Sequence, residues 1–498
     1  MTDFGILSIL PPLLAILLAL RTKQVYISLV VGIWLGWLII ERWNPLQGTI
    51  ATLEGFVDVF KTPGNTKTIM FSALVGALLI FIQYSGGVKG FTLWMERRLQ
   101  RIEQKGKGRS RVTVELLALL TGLVLFIETS ISSLTVGTLY RPVFDRLKIP
   151  REKLAYIADS SSAPSSILIP FNAWGAFIMG LLLTQGIDRP FRTMLSAMGY
   201  NFYPMITIAF VFLVIVLRRD IGPMAGAERR TRETGKLLND GARPMISEEI
   251  TSCEMKEGIR PRAFNMTVPL GVMILMMLVT LVYTGWDQVE NPLSFIDHVG
   301  KAMGRGSGAS AVLYSVATAL LAAMLLYRIQ KIVRIRKMVE LILKGISELM
   351  PLALLMMLAF SISNVCNALG TGDYVAGVTE SWLSPQLLPA IIFVISSFIA
   401  FSTGTSWGTF AIMISIALPM ASLHGANQFL IVAATMGGGV FGDHCSPISD
   451  TTIISSMASA SDHIDHVRTQ LPYALVAGGF TTLLYLLLGF LFTGAAQS

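Results

Sequence analysis

Residues 437–462 read GGGVFGDHCSPISDTTIISSMASASD, and apolar segments flank this stretch on both sides. It carries two carboxylates (Asp443, Asp450), an imidazole (His444), a thiol (Cys445), a proline (Pro447) and the hydroxyls of Ser446, Ser449, Thr451 and Thr452. Small and polar residues at membrane depth are tolerated only where protein buries them or where they line a watery cavity. Ionisable groups there are costly and point to function. The stretch reads as half of a transport site.

The rest of the chain supports a membrane setting. Of 498 residues, 53% are hydrophobic and 14% are charged, where a soluble domain carries roughly a quarter charged. Apolar runs of about 17 to 25 residues, each long enough to cross a bilayer, recur along the sequence. The fold class is an all-α polytopic membrane protein in the plasma membrane. The net charge of +8 sits in inter-helix loops, so it reports orientation and not nucleic-acid binding. Cys253, Cys366 and Cys445 show no paired spacing, and no disulfide framework is expected. No basic n-region precedes the first apolar segment and no cleavage site follows it, so it reads as a retained helix.

Residues 1–218 read as one transmembrane repeat, 219–262 as a cytoplasmic linker rich in both charges, and 263–498 as a second repeat. In the first repeat, basic clusters flank the segment 112–140, so it leaves and returns on one side, either as two short spans or as a re-entrant hairpin tipped by Glu128, Thr129 and Ser130. Residues 154–184 form an apolar stretch interrupted by ADSSSAPSS (158–166). The second repeat has the same order of parts. A hairpin carries STGTSWGT (402–409) at its turn, and an interrupted helix follows over 429–457. Loop charges give the halves opposite orientation, a recurring transporter architecture. The expected count is about ten spans, five per repeat, plus one re-entrant hairpin and one discontinuous helix in each half.

A helix broken inside a membrane leaves free amides on one half and free carbonyls on the other. Carbonyl ends hold cations and amide ends favour anions. Na⁺, a hard ion, wants oxygen ligands. Asp159, with Ser160, Ser161 and Ser162, offers such oxygens in one half, and Asp443, with Ser446, Ser449, Asp450 and Thr451, offers them in the other. Asp159, Asp443 and Asp450 are the candidate Na⁺ ligands, and these aspartates with His444 are the candidates for proton coupling. Thr129, Ser130, Thr405, Ser406 and Asn172 join the candidates for substrate contact. Other roles stay open at this point. The aspartates fit helix N-caps, Glu128 fits a loop at a membrane face, His444 fits a hydrogen-bonded structural imidazole, and Cys445 fits packing. The pattern DHIDH (462–466) is weak as a metal site and reads as surface capping and salt bridging.

From 437 onward, GGGVFGDHCSPISDTTIISSMASASDHIDHVRTQLPYAL resembles the signature of the NhaC-type sodium/proton antiporter family. The first half follows more loosely through FIETSISSLTVGT (126–138) and ADSSSAPSSILIPFNAWG (158–175). The resemblance implies Na⁺-coupled secondary transport, with no enzyme activity and no cofactor beyond Na⁺ as transported or coupling ion. It carries directly onto Asp443, His444, Ser446, Pro447, Asp450 and Thr451, and onto Asp159 and Ser162 as repeat counterparts. The principal expectation is Na⁺/H⁺ antiport. The alternative is a Na⁺-coupled carrier of an organic carboxylate or amino acid, its carboxylate cradled by the hydroxyl-rich tips. A channel is disfavoured because the polar residues cluster at two breaks and do not run along a pore. An enzyme is disfavoured because His444 and Cys445 are neighbours in sequence, poor geometry for mutual reaction. The partners expected are Na⁺, H⁺, the lipid bilayer and a small organic acid or amino acid, with a homodimer left open.

Overall fold

The computed structural model describes residues 4–22, 24–103, 110–126, 128–244, 255–256, 258–289, 294–379 and 383–494. Part of the first basic loop, part of the linker segment, and Cys253 lie outside these residues. Cys366 and Cys445 are free and buried. The described residues form helices and no strands.

The chain begins with α1 (Leu10–Thr22), α2 (Val25–Ile40), the surface helix α3 (Pro45–Asp58), α4 (Pro63–Tyr84) and α5 (Gly87–Glu103). Next come α6 (Ser110–Val124) and α7 (Thr129–Arg146), joined at the Glu128 tip, and then α8 (Arg151–Ile167) and α9 (Ala173–Thr184). Helices α10 (Pro190–Met198), α11 (Phe202–Leu217) and α12 (Gly222–Thr234) close the first half. The second half runs α13 (Phe264–Gly285), α14 (Phe295–Arg305), α15 (Gly308–Ile329), α16 (Ile335–Leu369) and α17 (Thr371–Thr379). It ends with the hairpin α18 (Leu388–Thr403) and α19 (Ser406–His424), the pair α20 (Gln428–Cys445) and α21 (Asp450–Ala458), and α22 (His463–Gly494).

Among the described residues, six helices are long and apolar enough to span a membrane, and a seventh candidate is Pro190–Met198 (α10) taken with Phe202–Thr234 (α11 and α12), bent by 40°. The sequence reading of ten spans counted shorter apolar pieces as well, among them 25–40, while 173–184 and 388–403 are further short apolar helices. The last two belong to the interrupted helix of the first half and the hairpin of the second.

Local chemistry sets the ends. Glu128 accepts from the Ile131 amide to start α7, Asn172 accepts from the Gly175 amide to start α9, and Asn427 accepts from the Phe429 and Leu430 amides to start α20. Such side chains satisfy the otherwise orphaned first-turn donors. Gly370, Gly404 and Gly425, all at positive φ, terminate α16, α18 and α19, a conformation that glycine adopts without a Cβ penalty.

The interruption in the first half lies at 168–172, beyond the stretch 158–166 where sequence alone set it. Pro164 stays inside α8, and there Ser165 Oγ donates to the Ser161 carbonyl at 2.6 Å. That bond braces the turn around the proline, which itself lacks the amide that would reach the Ser160 carbonyl. The breaker is Pro170, whose predecessor is pushed out of the helical region, after which Asn172 restarts the chain. In the second half Pro447 acts just after α20, and Ser446 before it is extended at ψ 132°.

Helix α20 packs closely on α18 because glycines line the contact. A Cβ on Gly442 would lie 2.2 Å from the Ser397 carbonyl oxygen and 2.5 Å from the Phe401 amide, both backbone. Gly442→Ala is therefore expected to destabilise by about 1–3 kcal/mol, as overpacking does. Gly271→Ala, whose new Cβ meets nothing within 4 Å, is expected to leave the melting temperature unchanged or slightly raised. Thermal unfolding of the two purified variants side by side checks this.

The segment read as a linker opens with α12, which docks on the ends of α8 and α22. Arg230 Nη2 pairs with Glu152 Oε1 at 2.9 Å. Lys153, 3% exposed, places Nζ 3.0 Å from Asp220 Oδ2, 3.2 Å from Glu228 Oε1 and 3.7 Å from Glu115 Oε2. Arg111 pairs with Glu228 at 2.8 Å.

Candidate functional site

Each half brings a hairpin tip against the end of its interrupted helix through the same contact. Ser166 Oγ donates to the Phe126 carbonyl at 2.9 Å, and Ser446 Oγ donates to the Phe401 carbonyl at 2.7 Å. Elements also cross between halves: α21 packs on α7 and α8, and α9 packs on α19. Trp174 at the start of α9 meets Trp407 at the start of α19 edge-on, with ring centroids 5.6 Å apart.

Both tips and both breaks face one cavity of about 390 Å³. Glu128, Thr129 and Ser130 line it from the first tip, Thr405 and Trp407 from the second, and Asp450 from the second break. Glu348 of α16 and Tyr26 of α2 complete its polar wall. No lysine, arginine or histidine is among the described residues that line it.

Behind the cavity lies the Asp443 carboxylate, 2% exposed on the last turn of α20. Ser406 Oγ donates to its Oδ2 at 2.6 Å and Ser449 Oγ donates to its Oδ1 at 2.6 Å. Thr451 Oγ1 lies 3.0 Å from Ser449 Oγ. This is a local shell made of oxygen atoms, drawn from the second tip and from both sides of the second break. Among the described residues Asp443 makes no salt bridge. A carboxylate buried without a counter-charge is expensive, and it is relieved by taking up a proton or a cation.

Asp159 sits apart from that shell, inside α8 and fully buried. Its Oδ2 accepts from Gln470 Nε2 of α22 at 2.7 Å, and His466 Nε2, one turn earlier on α22, lies 3.6 Å away. Gln470 Nε2 also reaches the His444 carbonyl. The His444 ring is held at both nitrogens, by Ser160 Oγ at 3.0 Å and by the Tyr203 hydroxyl at 2.8 Å. Among the described residues no three His, Cys, Asp or Glu side chains gather to hold a metal ion. The three aspartates read as Na⁺ ligands thus occupy three settings: the oxygen shell, the cavity wall, and the α8–α22 contact.

The remaining sequence candidates divide in the same way. Thr129, Ser130, Thr405 and Asp450 line the cavity, while Ser406, Ser449 and Thr451 surround Asp443. Ser161, Ser162 and Asn172 bond elsewhere. Ser161 Oγ donates to the Ala158 carbonyl, Ser162 accepts from Ser133 Oγ at 2.9 Å, and Asn172 Nδ2 fastens the first break to the Phe126 and Ser166 carbonyls. The inward role of His466 and Gln470 escaped the sequence reading. The pattern DHIDH does cap α22 through Asp462, whose Oδ1 accepts from the Ile464 and Asp465 amides. Its last histidine and the glutamine four residues on face inward, and that i, i+4 spacing was the available signal.

Among solved structures the fold is similar to MtrF of Neisseria gonorrhoeae, described with a class of antimetabolite efflux pumps. The TM-score is 0.57 at 16% identity, over 88% of this chain and 84% of that one. Among curated relatives, a Haemophilus influenzae protein named only as uncharacterized is 33% identical over 501 residues, 98% of this chain and 92% of its own length. The malate-2H⁺/Na⁺-lactate antiporter of Bacillus subtilis is 28% identical over 149 residues, 27% of this chain and 32% of its own length. The sequence profile of the Na⁺/H⁺ antiporter family matches residues 188–490, which takes in the Asp443 shell, the second tip, the second break and most of α22. With more than half of the chain matched, this protein belongs to the Na⁺/H⁺ antiporter family.

Proposed function

We propose that Asp443 is where this multi-pass Na⁺/H⁺ antiporter exchanges its two ions across the plasma membrane, with the cavity between the two tips as the access route. The observation that carries the reading is the buried Asp443 carboxylate, hydrogen-bonded to two hydroxyls at 2.6 Å each and paired with no cationic side chain among the described residues. Ionised, the carboxylate and the oxygens of Ser406, Ser449 and Thr451 suit a dehydrated Na⁺. Protonated, the same group is neutral and stable in its buried place. The two states exclude one another, which gives exchange in place of co-transport. The acidic cavity wall of Glu128, Asp450 and Glu348 attracts cations on the way in.

The test is Na⁺-driven proton movement in proteoliposomes, followed with a pH-sensitive dye inside the vesicles. Wild-type protein collapses or builds ΔpH on Na⁺ addition, and no Na⁺-dependent ΔpH would end the reading. Ser449→Ala is expected to raise the half-saturating Na⁺ concentration about tenfold, since a hydrogen bond to a charged group contributes roughly 1.5–3 kcal/mol. Na⁺ titration of the same assay measures it.

A second reading has its own support. The cavity of about 390 Å³ exceeds what a bare ion needs, and helices α7, α9, α19 and α21 all begin at or beside it. Helix N-termini favour carboxylates, and one relative is named a malate and lactate antiporter. On this reading an organic acid or amino acid accompanies the ions. Uptake of labelled lactate, malate or amino acids into the same vesicles distinguishes it.

A further inference from the structure

Where α6 begins and α11 ends, a second cavity of about 590 Å³ opens between α6, α8, α11 and α12. The exchange at Asp443 does not use it. Six basic and three acidic side chains line it, which leaves three positive charges in excess. The carboxylates are already held: Glu115, Asp220 and Glu228 surround Lys153, and Arg111 pairs with Glu228 at 2.8 Å. The excess falls on Arg218, Arg219, Arg229 and Arg232, all exposed. Among the described residues, the side chains of these four form no ion pair and no hydrogen bond. We propose that this cavity seats the phosphate of an anionic phospholipid headgroup.

The donor set fits a phosphate. Guanidinium groups present paired N–H donors that match phosphate oxygens, and they are always charged. Arg111 adds a further donor. Its Nη2 is taken by Glu228 and by the Lys148 carbonyl at 3.3 Å, while its Nε is buried and has no partner among the described residues. Helix α12 starts at the cavity, with Ile221 and Ala225 in the lining and no side chain capping its first turn. The free amides of such an end favour an anion. Arg218 takes a left-handed conformation at the end of α11, with φ 54° and ψ 36°. Glycine is the usual residue there, and an arginine kept at a backbone cost points to use of its side chain.

The surroundings favour a lipid over a dissolved phosphate. Phe212, Leu213, Val216 and Leu217 form one exposed apolar face of α11, at i, i+4 spacing, and that face ends directly at Arg218. Acyl chains lying along it bring their headgroup to the cavity. Val112 and Ile221 supply apolar wall within the lining. The basic clusters that flank 112–140 in the sequence include Arg111 and Lys153, both in the lining. Positive segments of this kind mark the cytoplasmic headgroup layer, and basic pockets between helices at that level hold anionic headgroups. A phosphate seated here bridges the α11–α12 turn and α12 across a floor that belongs to α6 and α8. Its effect is to stabilise that junction, and this holds whether or not Asp443 is the exchange site.

The experiment uses the full-length protein in a neutral detergent, with thermal stabilisation as the readout. The probes are dioctanoyl phosphatidylglycerol, dioctanoyl phosphatidylcholine and inorganic phosphate. Phosphatidylglycerol is expected to raise the melting temperature by several degrees, phosphatidylcholine by much less, and inorganic phosphate at the same concentration not at all. The double variant Arg219→Gln, Arg229→Gln is expected to raise the half-saturating phosphatidylglycerol concentration at least about tenfold, since each arginine beside an anionic headgroup contributes about a factor of five. The double variant Arg334→Gln, Arg336→Gln, exposed at the start of α16 and outside the lining, is expected to keep it within about twofold. If the first variant does not fold, Ala225→Glu places a carboxylate in the lining and is expected to weaken the lipid by a similar factor. No stabilisation of the wild type by phosphatidylglycerol overturns the proposal, as does wild-type half-saturation in either lining variant. Equal loss in both double variants overturns it too, because it means a general surface charge. Equal stabilisation by inorganic phosphate overturns the assignment to a lipid.

Discussion

Asp443→Asn is expected to lower Na⁺-driven proton flux at least a hundredfold while leaving the protein folded and at least as heat-stable as wild type. Asparagine keeps the shape of the side chain and removes its charge. The buried shell then has neither the negative charge that draws Na⁺ out of water nor the oxygen that takes up a proton. Interactions with a charged group are worth roughly 1.5–3 kcal/mol each, and two of them, from Ser406 and Ser449, change together. Every 1.4 kcal/mol is about a factor of ten, so a loss of two decades is a lower bound. Stability moves the other way, because the substitution removes an unpaired buried charge. Flux in proteoliposomes and melting curves with and without NaCl check both halves. A variant that keeps half of the wild-type flux would show that Asp443 only caps structure. Asp450→Asn is the internal comparison: its carboxylate faces the cavity, where water supplies an alternative shell, and a rise of several-fold in half-saturating Na⁺ is expected with maximal flux retained.

Part of the Asp443 shell was legible in the sequence because those residues are close together, whereas Ser406, read there as a substrate contact, joins from the second tip. Asp443, Ser449 and Thr451 fall within one break, and Pro447 marks where the helix must stop. The hairpin tips were legible too, since a cluster of hydroxyls between two apolar arms has few other uses in a membrane. The register between the halves was not. Setting ADSSSAPSS against GDHCSPISD aligns Asp159 with Asp443, yet the matching hydrogen bonds set Ser166 against Ser446. That is one helical turn away from the aspartate alignment, and it leaves Asp159 inside α8, pointing at α22. The cause is the proline: Pro164 resembles Pro447 in the string but does not break its helix. His466 and Gln470 were hidden for a different reason. Local charge in DHIDH describes the capped outer end of α22, whereas the inner face of the same turn is decided by what packs on it from residues about 300 positions earlier. The cavity has the same origin, since its walls come from α2, α16 and both tips.

Lys153→Met is expected to destabilise the protein by about 3–5 kcal/mol, the cost of removing one partner from a buried ion cluster. Lys153 Nζ lies among Glu115, Asp220 and Glu228, and its side chain is about as buried as those of Glu115 and Asp220. Methionine fills the same volume and leaves three carboxylates facing one another, of which Glu228 keeps only Arg111. Pairing the substitution with Glu115→Gln removes one of the stranded charges and is expected to restore part of the loss, whereas Glu340→Gln, exposed on α16 and paired with Lys337, restores none. Melting temperatures of the single and double variants, taken at low and high salt, measure the coupling. High salt screens exposed pairs and leaves this cluster nearly unaffected, so a defect that vanishes in salt would mean that Lys153 is hydrated in solution. The consequence reaches transport as well. Lys153 stands on the first turn of α8, about two turns before Asp159, and the cluster ties that turn to α12. Loosening it frees α8 against α22 at the Asp159–Gln470 contact, so the variant is expected to lose flux in excess of the folded fraction lost. Flux normalised to folded protein separates the two effects.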